Sequence, residues 1–144
     1  MTPNQLNAIV SLPKLALSVR QPWVHSIFYL GKPVENRKWR TLFRGLVCIH
    51  ASNGMTKKGY LEGLHTALAA SPETTVANFP RMRDLPRGGI IGTVEIIDCV
   101  SRHDSPWFFG PYGFVLANPT PCEFIPVKGA LNFFDWRKNL EDKP

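Results

Sequence analysis

Residues Gly89 to Val100, GIIGTVEIIDCV, form the longest run of strand-forming side chains, and every other such run is short. Prolines and glycines, 13 and 11 of them in 144 residues, cut the rest of the chain into pieces. Alternation along the long run places Ile91, Thr93, Glu95, Ile97 and Cys99 on one face. Gly92, Val94, Ile96, Asp98 and Val100 take the other. Neither face is purely apolar, which suits a strand in a small barrel with one polar end.

Shorter strands are expected at Lys14 to Val19, Leu46 to Ala51, Phe114 to Ala117 and Phe124 to Val127. Pro22 suits the first turn of a helix, Trp23, Ile27 and Leu30 recur at helical spacing, and Gly31 stops it. A second helix is expected from Thr56 to Ala70, with Tyr60, Leu64 and Leu68 on one stripe. Residues 1–13, with prolines at 3 and 13, read as a loosely held arm preceding a single domain over 14–144. Residues 71–89 read as a long, mobile loop, and 105–113 as an aromatic loop stiffened by Pro106 and Pro111. The chain closes on Ala130 to Trp136 and a charged tail. The fold class that results is α+β: a compact β-barrel with helical additions.

The formal charge of +6 favours a polyanionic partner without bearing on the fold. Cys48, Cys99 and Cys122 are odd in number and contain no CxxC, which argues against a disulfide framework and a Cys-rich zinc site. The histidines show no ligand spacing, so neither metal nor cofactor is expected. No stretch approaches 18 apolar residues and the N-terminus has no signal-like pattern. The expectation is a cytoplasmic monomer with no membrane partner.

Lys32, Glu35 and Arg37 carry the most chemistry. Residues from Val34 onward read as extended, so Glu35, Arg37 and Trp39 share one face and Val34 and Asn36 the other. Arg37 offers a planar fork for a phosphate or base edge, and Glu35 can accept from an exocyclic amine. Lys32 can neutralise phosphate or, partly desolvated, carry a proton. The plain alternative is a surface salt bridge worth at most about 1 kcal/mol. Arg40 and Arg44, with Lys38, make a basic stretch around Trp39 that suits phosphates and one stacked base; equally, it is a solvated face. Ser18, Arg20 and Gln21 stand at a strand-to-helix junction facing the same region, with Gln21 alternatively only a cap and Trp23 read as core. His50, ending a strand, is either a general base or a structural histidine. In the aromatic loop Trp107 and Tyr112 are the expected base contacts, with Phe108 and Phe109 as plugs.

The stretch Ala16-Leu17-Ser18-Val19-Arg20-Gln21-Pro22-Trp23, followed by Gly31-Lys32-Pro33-Val34-Glu35-Asn36-Arg37, resembles the opening of ASCH domains. Their signature is LSxRQPWA and then GxKxxExR. The Gly89–Val100 run and Pro106–Pro121 resemble the second half of bacterial members, so the likeness spans about Leu15 to Trp136. It implies the PUA-like fold, a mixed β-barrel with flanking helices, and recognition of RNA or a modified nucleotide. Some similar proteins hydrolyse the amide of N4-acetylcytidine, and some bacterial ones are described as ribonucleases. Here Leu30 replaces the signature's first glycine. Glu35 stands where the amidohydrolase subgroup carries a threonine nucleophile, so that reaction does not transfer intact.

The expected function is therefore binding of single-stranded or modified RNA through a basic cleft formed by Arg20, Lys32, Glu35, Arg37 and the 105–113 loop. The alternative is a hydrolase in the same cleft, with Lys32, Glu35 and His50 as its catalytic set. As an enzyme it is read as a metal-independent ribonuclease before an N4-acylcytidine amidohydrolase. A third reading, an interaction module without nucleic acid, calls for an exposed aromatic loop and for Lys32, Glu35 and Arg37 paired among themselves.

Overall fold

A computed structural model describes residues 1–140; the charged tail beyond them lies outside the described residues. Six strands form one sheet: β1 (Leu15–Val19), β2 (Val34–Arg37), β3 (Gly45–Ala51), β4 (Gly89–Val100), β5 (Tyr112–Pro126) and β6 (Phe133–Asp135). Their order is β2-β5-β4-β3-β1-β6, with β1 and β3 parallel and the other neighbours antiparallel. The sheet curls strongly into a half-barrel, an α+β architecture of PUA-like type. Aromatic rings bridge the curl where main-chain bonds do not. Phe133 on β6 stacks on Phe114 of β5 at 6.1 Å, and Trp39 meets both edge-on at 5.2 and 5.9 Å.

The mixed faces of β4 have a physical cause. Its pairing with β5 slips three times, between Ile90 and Gly92, between Thr93 and Glu95, and between Ile96 and Asp98. Each bulge turns the side chains that follow it relative to the sheet. Ile90 accordingly packs with Cys48, Ile125 and Trp136, while Ile91, Val94 and Ile96 join the main core around Leu17, Ile27, Ile49 and Phe114.

Two expected strands, 114–117 and 124–127, fall on the single strand β5, which ends at Pro126. Pro119 and Pro121 do not break it because β2 pairs only with Tyr112 to Val115. Beyond that point β5 has one neighbour, β4, and a proline on the free edge forfeits no ladder bond. The expected loose arm is likewise corrected: Pro3–Ser11 is a helix, α1. Thr2 and Gln5 form a reciprocal capping box and Pro3 occupies the helix start, where prolines are favoured. Gln5 Nε2 also donates to Phe124 O, and the Arg137 guanidinium donates to the carbonyls of Ile9, Leu12 and Pro13. These bonds tie an otherwise exposed helix to the sheet.

Helix α2 (Trp23–Tyr29) is two turns long and ends as expected at Gly31, whose φ of +73° suits glycine. Helix α3 (Lys57–Ala70) lays Leu64 and Ala67 against Val34, Phe79 and Trp107. Residues 71–88 contain one 3-10 turn, Met82–Asp84, and bury Phe79 and Leu85. No helix among the described residues is long and apolar enough to cross a membrane.

Candidate nucleic-acid interface

The end of β1, the start of α2, strand β2 and the segment before β6 enclose an open cleft of about 680 Å³. Glu35 and Arg37 point into it from β2 because strand alternation sends Val34 the other way, into the core beside Trp107. Asn36, between them, also lines the cleft and fastens the neighbouring loop: its Nδ2 donates to Trp107 O, and its Oδ1 accepts from the N–H groups of Phe109 and Gly110.

Glu35 is 8% exposed and its two oxygens have different cationic partners. Oε1 lies 3.3 Å from Lys32 Nζ, and Oε2 accepts from Arg37 Nε at 2.9 Å. Arg37 Nη2 donates to Ser18 O at 2.8 Å, which locks the fork across from β2 to β1. Lys32 also donates to Val34 O at 2.6 Å and lies 5.6 Å from the Trp23 ring centre. Burial pulls the Lys32 pKa below its ordinary value, and the Glu35 carboxylate opposes that shift. A smaller hollow of about 230 Å³ adjoins the cleft behind Glu35, lined by Trp23, Lys32, Glu35, Asn36 and Phe109.

Of the residues singled out from sequence, Ser18, Arg20, Glu35, Arg37 and Trp39 line the main cleft, with Lys32 beneath it in the smaller hollow. Lys38 joins them at the rim. Three others are buried elsewhere. Gln21 accepts from His25 N–H and donates to Pro86 O, so it braces α2 and stays out of the cleft. His50 is 2% exposed; its Nε2 faces Val127 O at 2.7 Å and its Nδ1 faces the Ser18 hydroxyl at 2.9 Å. A carbonyl only accepts, so Nε2 holds the proton and Nδ1 accepts from Ser18. That uses both ring nitrogens, and burial lowers the His50 pKa. His50 reaches the cleft only through Ser18. Trp107, expected as a base contact, is 3% exposed in the cluster with Leu64 and Phe79, whereas Phe109, expected as a plug, is 63% exposed. The exposures within that loop are thus the reverse of those expected, because Asn36 anchors Trp107 O and the indole packs inward.

Arg40, Arg44 and Tyr112 lie outside the cleft, around a neighbouring hollow. Residues that the sequence reading did not single out also line the main cleft: Ser52, Gly54 and the 130–132 segment, in which Asn132 has a φ of +59°. Nothing in their local pattern marks them; the end of β3 brings Ser52 and Gly54 there, and the chain's return to β6 brings 130–132. Of the two features that would favour an interaction module, the pairing of Lys32, Glu35 and Arg37 is present. It sits on the floor of an open cavity, and within 107–109 only Phe109 is exposed. No group of three metal-ligating side chains occurs among the described residues.

A curled mixed sheet with a cationic cleft over a buried carboxylate defines a small PUA-like domain. The family model of the ASCH domain matches residues 17–126, and the chain belongs to that family. Activating signal cointegrator 1 of Homo sapiens and that of Mus musculus are each 30% identical over 122 residues, which is 78% of this chain and 20% of theirs. The chain thus spans about a fifth of the length of these curated relatives.

Proposed function

We propose that the cleft receives one nucleotide of single-stranded or modified RNA. One observation carries the reading: a nearly buried carboxylate, clamped by Lys32 and Arg37, faces open space whose rim holds Arg20 and Lys38. A clamped carboxylate accepts hydrogen bonds in a fixed direction, which suits an exocyclic amine or ring N–H. The rim cations attract the phosphate, and Trp23 and Trp39 offer aromatic walls. Fluorescence anisotropy with labelled single-stranded RNA over a salt series tests it. Log affinity falling linearly with log salt supports the reading; affinity indifferent to ionic strength overturns it.

A second reading, hydrolysis in the same cleft, is favoured by Lys32. A desolvated lysine in contact with a carboxylate is suited to moving a proton. Ribonuclease action would use Lys32 and Glu35, whereas His50 could take part only through the Ser18 hydroxyl. Amide hydrolysis of N4-acylated cytidine would need an attacking water, since Glu35 occupies the nucleophile's place. Labelled RNA incubated with purified protein separates binding from cleavage. Cleavage that persists in Glu35→Ala and Lys32→Ala belongs to a contaminant.

A further inference from the structure

Arg40, Arg44, Arg102 and Tyr112 surround a second open hollow of about 450 Å³ where β4 ends and β5 begins, beside the segment that follows β2. It meets the main cleft through continuous backbone. Trp39 lines the cleft and Arg40 the second hollow, and Arg37 of the cleft lies opposite Tyr112 in the β2–β5 ladder. Neighbouring residues of one segment thus form the wall between the two hollows, and a strand crossing that wall passes from one into the other.

Two of the arginines there, Arg40 and Arg44, are positioned before any ligand arrives. The Arg40 guanidinium lies over the Tyr112 ring at 5.3 Å. Arg44 Nη1 donates to Thr41 O at 3.0 Å and to Phe43 O at 2.8 Å, which holds its fork at the edge of the hollow. Arg102 follows directly on β4 and lines the same space. Among the described residues one carboxylate pairs with these three cations: Asp98, 3.7 Å from Arg44 Nη2. Arg40 and Arg102 form no ion pair among the described residues. A concave surface with three guanidinium groups and such slight neutralisation suits a phosphate, because planar forks meet its oxygens two at a time.

We infer that this hollow binds the phosphate of the nucleotide next to the one held in the cleft, so that the domain grips at least two consecutive nucleotides. The inference rests on the proposed RNA cleft and adds a length requirement to it. The hollow contributes affinity but no base choice, since phosphate contacts position a strand without reading it.

Two probes separate the sites: a nucleoside 5′-monophosphate, which fills only the cleft, and a labelled trinucleotide, which spans both. Each is titrated against wild type and an Arg44→Ala/Arg102→Ala double variant whose fold is verified by its Tm. Both arginines are exposed, so the variant is expected to fold. The expected result is trinucleotide affinity reduced about tenfold or more, a shallower salt dependence, and unchanged monophosphate affinity. Equal trinucleotide binding by both proteins overturns the second site and leaves the cleft reading standing. A parallel loss for both probes overturns it as a separate site. Wild type binding neither probe overturns the cleft and the second site together.

Discussion

The Lys32 ammonium lies 3.3 Å from the Glu35 carboxylate, in a side chain only 1% exposed. A buried cation tolerates its position through that partner and one carbonyl, Val34 O. Glu35→Gln leaves the charge stranded and is expected to cost about 3–5 kcal/mol of stability. Lys32→Met is expected to cost less, because Glu35 keeps Arg37. Urea unfolding of the two variants checks the order, and equal losses would contradict it.

His50 gives the fold an acid sensitivity. Its pKa in the folded chain lies below the ordinary 6.5, so between those values the unfolded chain holds the extra proton. Stability from this group is complete above pH 6.5 and declines as the pH falls toward the folded value. His25, whose pKa burial also lowers, acts in the same direction. Unfolding free energy from pH 7.5 to 5 is expected to fall less steeply in His50→Gln than in wild type.

Arg20 and Lys38 are exposed at the cleft rim. Alanine at either is expected to leave Tm unchanged and to reduce the salt slope of RNA binding by about 0.7, the value for one phosphate contact on a single strand. Anisotropy titrations at four or more salt concentrations measure it.

Trp107 and Phe109 should respond in opposite ways. Trp107→Ala opens a cavity among Val34, Leu64 and Phe79 and is expected to cost about 3–5 kcal/mol. Phe109→Ala should leave stability intact and weaken RNA binding by about 1–3 kcal/mol if its exposed ring stacks on a base. Thermal melts and binding isotherms on both variants are the measurement.

Gly63→Ala tests how closely α3 packs. On an exposed helix the change is worth about 1 kcal/mol in favour of alanine. Here the added methyl would run into the Pro22 ring at the start of α2, and overpacking of that kind costs about 1–3 kcal/mol. A Tm below wild type is expected.

Local chemistry made a good part of this architecture legible. Gly31 at the end of a short apolar helix, and Glu35 and Arg37 two apart in extended chain, dictate a helix stop and a shared face through backbone geometry alone. The same local rules misjudged residues 1–13 and the break in β5. Whether Pro3 starts a helix depends on Thr2 and Gln5 bonding reciprocally, and whether Pro119 and Pro121 interrupt a strand depends on how far its neighbour extends.

Which side chains finally converge was a matter of packing. Trp107 turned inward because Asn36 holds its carbonyl and Leu64, Ala67 and Phe79, distant in the chain, make room for it. Ser18 and His50 pair because β1 and β3 run parallel in a register that sets one opposite the other. Periodicity assigns a residue to a face. What lies across from that face is set by chain segments tens of residues away, and no local pattern encodes it.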